Sequence, residues 1–149
     1  MSISSLCNYN VATVQRSMGI IEAAVVMRES HVGDVIVVDQ DGGKTVPVGL
    51  LTDRDLVIEV LAEGVNPSDV TVADIMSPSL VTIHQDNGLD FALREMGRAG
   101  VRRLPVLDNQ NEIVGILTMD DVVVYLARLA EHLADALETG QFQERTRRP

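Results

Sequence analysis

The chain repeats itself, and no other feature constrains its fold as much. "TVQRSMGIIEAAVVMRESHVGDVIVVD" lies on "TIHQDNGLDFALREMGRAGVRRLPVLD" at an offset of 69 residues. That register puts Val14 on Ile83, Ile20 on Leu89, Ala23 on Ala92, Met27 on Met96, Val37 on Val106 and Asp39 on Asp108. Further along, "GLLTDRDL" and "GILTMDDV" repeat a Gly-apolar-apolar-Thr-x-x-Asp corner, now 66 residues apart. The three-residue difference falls between "QDGGKTVPV" and "NQNEIV". Both are turn-rich connections, where insertions do least harm.

Each copy reads strand, helix, strand, turn, strand, helix. In the first, a short strand at 11–14 precedes a helix at 18–29 with Ser17 as its N-cap. Ile20, Ala23, Ala24 and Met27 recur there at helical spacing. "VIVVD" is too apolar for a half-exposed strand and suits a sheet covered on both faces. "DQDGG" turns the chain, "TVPVGLL" is the next strand, and a helix follows over 53–62. "GVNPSD" is the clearest linker. The second copy repeats this order and ends in a longer helix, 119–139, striped by Val122, Leu126, Leu129, Leu133 and Leu137. The division is therefore repeat 1 at 1–64, a linker with a short helix at 65–76, repeat 2 with an extended helix at 77–139, and a polar tail at 140–149. Neither half has enough apolar surface to stand alone comfortably, so the two are expected to pack sheet against sheet with pseudo-twofold symmetry.

Composition narrows the function. With 46% apolar residues, two Tyr, two Phe and no Trp, the core must be aliphatic. A formal charge of −10 argues against nucleic acid as a partner, since phosphate-backbone binding needs a basic footprint. The cluster Arg145, Arg147 and Arg148 reads as a solvated end. One cysteine, Cys7, forms no internal disulfide and fits a reducing compartment. No apolar run approaches the roughly 18 residues of a membrane helix, and no signal-peptide layout opens the chain. These features predict a soluble, cytoplasmic protein. His31, His84 and His132 lack metal-ligand spacing, and Cys7 lacks a CxxC partner, so neither a metal site nor a catalytic thiol is expected.

The doubled corner leaves two readings open. Thr52-x-x-Asp55 and Thr118-x-x-Asp121 have capping-box spacing, with Asp in place of the usual Glu. Asp, however, is short for that reach, and a glycine three residues before each Thr permits something to approach the strand end. A helix N-terminus with exposed hydroxyl and amides is also an anion site. A carboxylate beside it suits a ligand with a diol and a phosphate, which describes a nucleoside phosphate.

"GLLTDRD" and "GILTMDD", with "ADIMSPSLVTI" and "VRRLPVLD", resemble tandem CBS domains, the paired unit also called a Bateman module. The resemblance covers residues 11–129. It implies a mixed α/β fold of the α+β type, two β-α-β-β-α repeats packed as a disc, usually dimerised. It also implies a non-catalytic regulator, requiring no cofactor, that binds AMP, ADP, ATP or S-adenosylmethionine. The family's sites are composite. One would join Thr52 and Asp55 to Leu80, Val81, Arg102, Arg103, Leu104 and Pro105. There Asp55 would hold the ribose and Thr52 the phosphate. Val81, Leu104 and Pro105 would flank the adenine, and Arg103, with Arg102, would neutralise charge. The other would join Thr118 and Asp121 to Val11, Ala12, Gly33, Val35 and Ile36. In this second site Gly33 and Asp34 replace the two arginines, so it is expected to be weaker, empty, or occupied by an uncharged adenosine end. The reading is a stand-alone, homodimeric sensor of energy or metabolic state acting on an unidentified separate protein. Its alternative is a ligand-independent interaction module whose corners are only caps. The stripe ending in Leu133 and Leu137 is expected to serve the dimer contact.

Overall fold

A computed structural model describes residues 3–148. Strand β1 (Thr13–Gln15) leads into helix α1 (Ile20–Ser30), then β2 (Asp34–Asp41), β3 (Lys44–Thr52) and α2. α2 starts as one α turn, Asp53–Asp55, and continues as a π-helix, Leu56–Leu61. A short helix α3 (Val72–Ile75) precedes the second copy. That copy comprises β4 (Ile83–His84), α4 (Leu89–Ala99), β5 (Arg103–Leu107), β6 (Ile113–Thr118) and α5 (Met119–Arg147). The β-α-β-β-α order is therefore present twice.

The two sheets are copies of each other. Their orders are β1-β2-β3 and β4-β5-β6, with the first pair parallel and the second antiparallel in each. Register shifts by one residue between Val37 and Val38 and again between Val106 and Leu107, equivalent positions in the repeat. The central strand β2 is buried throughout Val35, Ile36, Val37 and Val38, at most 5% exposed. The β-branched run thus lies where both faces are covered, as its composition predicts.

The core is divided differently from the simple sheet-on-sheet expectation. Val14, Ala23, Met27, Val35, Val37, Leu51 and Val72 form one cluster, against which Ile75 and Met76 pack. Ile3, Cys7, Ile83, Ala92, Met96, Leu104, Val106, Leu117 and Val122 form the other. Each cluster is completed by the segment that leads into the opposite copy. Residues 3–8 cross to the second sheet, where Asn8 N donates to Ile116 O and Ile116 N to Asn8 O, both at 2.9 Å. The equivalent segment crosses to the first, with Leu50 N to Ser77 O at 3.0 Å and Ser77 N to Leu50 O at 2.9 Å.

This crossing explains the corner glycines. A Cβ on Gly49 would stand 2.8 Å from Ser77 O, and one on Gly115 would stand 2.8 Å from Cys7 Sγ and 3.1 Å from Asn8 O. The space beside each glycine is thus filled by a crossing segment: the Ser77 carbonyl at Gly49, the Cys7 side chain and Asn8 carbonyl at Gly115.

Two helix boundaries depart from expectation. α1 begins after Gly19, with no side-chain cap, rather than after Ser17. Its start is held by the linker instead, through Ile20 N to Val70 O at 3.3 Å. α5 does not stop at Thr139 but runs through Gly140 to Arg147, absorbing most of the predicted tail. A lone helical glycine costs only about 1 kcal/mol against alanine. Gln, Glu and Arg favour helix beyond it, and Arg145 and Arg147 complement the negative end of the dipole.

Candidate functional site

Both corners are complete capping boxes. Thr52 N donates to Asp55 Oδ2 at 2.8 Å while Asp55 N donates to Thr52 Oγ1 at 3.1 Å. Thr118 N donates to Asp121 Oδ2 at 3.1 Å and Asp121 N to Thr118 Oγ1 at 3.1 Å. The Thr118 hydroxyl also donates to Asp121 Oδ2, at 2.6 Å. The shorter Asp side chain therefore does reach the cap amide, contrary to the sequence argument. A related cap starts α3 in the linker, where Thr71 N and the Thr71 hydroxyl both donate to Asp74 Oδ2, at 2.8 and 2.9 Å. It shows that Thr-x-x-Asp by itself builds helix starts in this chain.

The first-turn amides are also largely engaged. Asp53 N donates to Gly33 O at 2.9 Å, and Met119 N to Arg102 O at 2.8 Å. With Asp55 N and Asp121 N already bonded to threonine hydroxyls, the helix ends offer few amides to an anion.

A cleft of about 620 Å³ lies between the two copies, beside the Thr52 corner. That volume is typical of small-molecule sites. Of the residues predicted for this site, Thr52, Leu80, Val81, Arg102, Arg103 and Pro105 line the cleft. Asp55 and Leu104 do not. Asp55 turns Oδ2 to its own helix cap, and Leu104 is 0% exposed, packed in the second core. Sequence reasoning missed Asp53 and Arg54, which also line it, and gave Gly33 and Asp34 only to the other site. A signal for Asp53 and Arg54 existed, because first-turn side chains lean back toward the helix N-terminus.

A smaller cleft of about 340 Å³ lies beside Thr118. Thr118 and Gly33 line it as predicted, but Asp121, Val11, Ala12, Val35 and Ile36 do not. Val35 and Ile36 are 1% exposed, as expected of the central strand. Ala12 packs on the first core and its carbonyl accepts from Ile36 N at 3.0 Å. Asp121 is turned to its cap. Asp34, Arg102 and Arg103 line this cleft as well as the larger one. Both arginines, expected at the Thr52 site, thus border the two clefts alike.

The electrostatics centre on one ion pair. Arg103 opens β5 opposite Thr118, and Asp34 opens β2 opposite Thr52. These two positions are equivalent in the repeat, and they meet across its axis, Arg103 Nη1 to Asp34 Oδ1 at 2.6 Å. Burial pushes the Asp34 carboxyl above its ordinary pKa, with neighbouring Asp53 acting the same way, while Arg103 pulls it down. Arg102, by contrast, pairs among the described residues with Asp120, at 3.6 Å, with both side chains largely in solvent.

No helix among the described residues is long and apolar enough to cross a membrane. Nor, among these residues, do three or more His, Cys, Asp or Glu gather as metal ligands.

Known proteins share both the repeat and its arrangement. The CBS domain matches twice, over residues 3–62 and 72–128. An uncharacterised protein of Methanopyrus kandleri is 34% identical over 97% of this chain and 71% of its own. The crystal structure of hypoxic response protein I with two coordinated zinc ions superposes with a TM-score of 0.71 at 28% identity, covering 83% of this chain and 97% of that one. The CBS domain pair of protein MJ0100, in complex with 5'-methylthioadenosine and S-adenosyl-L-methionine, gives 0.72 at 24% identity, covering 85% and 99%. The chain belongs to the CBS domain family and carries a tandem pair of these domains.

Proposed function

We propose that this CBS pair binds an adenosine-containing ligand in the larger cleft and acts as a regulatory sensor rather than a catalyst. The observation that carries this is the lining of the cleft. Apolar walls from Leu80, Val81, Val101 and Pro105 suit a purine, and Arg54, Arg102 and Arg103 surround them with charge suited to phosphate. Asp53, which lines the cleft, is the acceptor we assign to the ribose diol. Binding of 5'-methylthioadenosine and S-adenosyl-L-methionine by the pair of similar fold is consistent with this chemistry. AMP, ADP and ATP fit the arginines, and S-adenosylmethionine fits the carboxylates. We further propose that the protein acts as a homodimer on a separate target.

Thermal unfolding with AMP, ADP, ATP and S-adenosylmethionine tests the proposal. A ligand at 100 times its Kd stabilises the fold by about 2.7 kcal/mol, which raises Tm by roughly 5–10 °C for a chain of this size. No shift with any adenosine compound would favour the interaction-module reading, to which the complete capping boxes are already sufficient.

A further inference from the structure

Arg102 and Arg103 both border the two clefts, but Arg103 is already occupied. Its partner Asp34 has only 16% of its side chain exposed, whereas Arg102 is 76% exposed and loosely paired. A phosphate entering the larger cleft meets Arg102 and Arg54 freely. It reaches Arg103 only by taking it from Asp34, and that strands a carboxylate that is mostly buried and lies near Asp53. Breaking a buried pair by removing one partner is far costlier than exchanging a solvated one.

We infer that Asp34 is a specificity-determining residue: it holds Arg103 in a closed ion pair that a ligand's phosphate opens only by displacing the carboxylate, so the cleft discriminates ligands by charge. The inference rests on the nucleotide reading above. The repeat explains why the device exists. The two positions face each other across the pseudo-twofold axis, where two arginines would repel and an acid with an arginine attracts. Raising of the Asp34 pKa by burial agrees, since the site already disfavours that charge. Because Asp34 and Arg103 line both clefts, a phosphate that captures Arg103 in the larger one leaves the smaller one facing an unpaired carboxylate. An anion there is then disfavoured.

The test is calorimetric titration of AMP and of uncharged adenosine into the wild type, Asp34→Asn and Asp34→Ala, with circular dichroism confirming the fold. The quantity read is the ratio of the adenosine Kd to the AMP Kd. The expected result is a ratio at least about tenfold larger in both variants, from tighter AMP binding, with adenosine affinity within about twofold of wild type. AMP binding with an unchanged ratio in whichever variant folds overturns the role of Asp34 and leaves the nucleotide reading standing. Failure of AMP and adenosine to bind any of the three proteins overturns both.

Discussion

At the scale of single residues, the corner glycines and the corner acids have exchanged explanations. Gly49 and Gly115 read in the sequence as room for a ligand, yet the space is filled by the crossing segments. Asp55 read as a ribose ligand and Asp121 as its counterpart in the second site, yet both carboxylates are turned to the helix caps. Gly49→Ala should therefore destabilise the fold by about 1–3 kcal/mol, as forced overpacking does. The atom it meets, Ser77 O, is backbone and cannot swing aside. Gly97→Ala meets nothing within 4 Å inside α4 and should stabilise by about 0.5–1 kcal/mol. Urea unfolding of the two variants checks this, and a neutral Gly49→Ala would return the glycine to the ligand. The arginines of the cleft were legible because "VRRLPVLD" stands out against "VGDVIVVD". That Asp34 pairs with Arg103 was not, because it depends on how the two copies face each other, which no local spacing encodes.

Among the elements, the longer helices followed from the 3.6-residue apolar stripe, and the strands from short β-branched runs bounded by turn residues. The exchange of leading segments was invisible, because Ile3 and Cys7 lie outside the recognisable repeat and are far in sequence from the core they fill. Val72, the equivalent of Ile3, is likewise 0% exposed in the opposite core. Ile3→Ala should cost about 2–5 kcal/mol, the usual range for emptying a buried aliphatic site. Protection of amides in β5 and β6 should fall more than in β2 and β3, as hydrogen exchange can read. Equal loss in both sheets would mean that the two cores do not open separately.

For the whole molecule, the unresolved burial is that of α5. Leu133 and Leu137 are each 67% exposed and Phe142 is 72% exposed, on a helix that continues past the body of the fold. If a second copy covers this stripe, the wild type should elute as a dimer. The double variant Leu133→Glu and Leu137→Glu should elute as a monomer with unchanged circular dichroism, by light scattering on a sizing column. A monomeric wild type would remove the homodimer from the account.

The claim on which the rest turns is that the larger cleft holds an adenosine-containing ligand. A crystal structure of the protein grown with AMP tests it most directly. Adenine should lie between Val81 and Pro105, with the phosphate against Arg102, Arg54 and an Arg103 released from Asp34. Nucleotide seated elsewhere, or a cleft still closed by the Asp34–Arg103 pair with no ligand at saturating AMP, would contradict it.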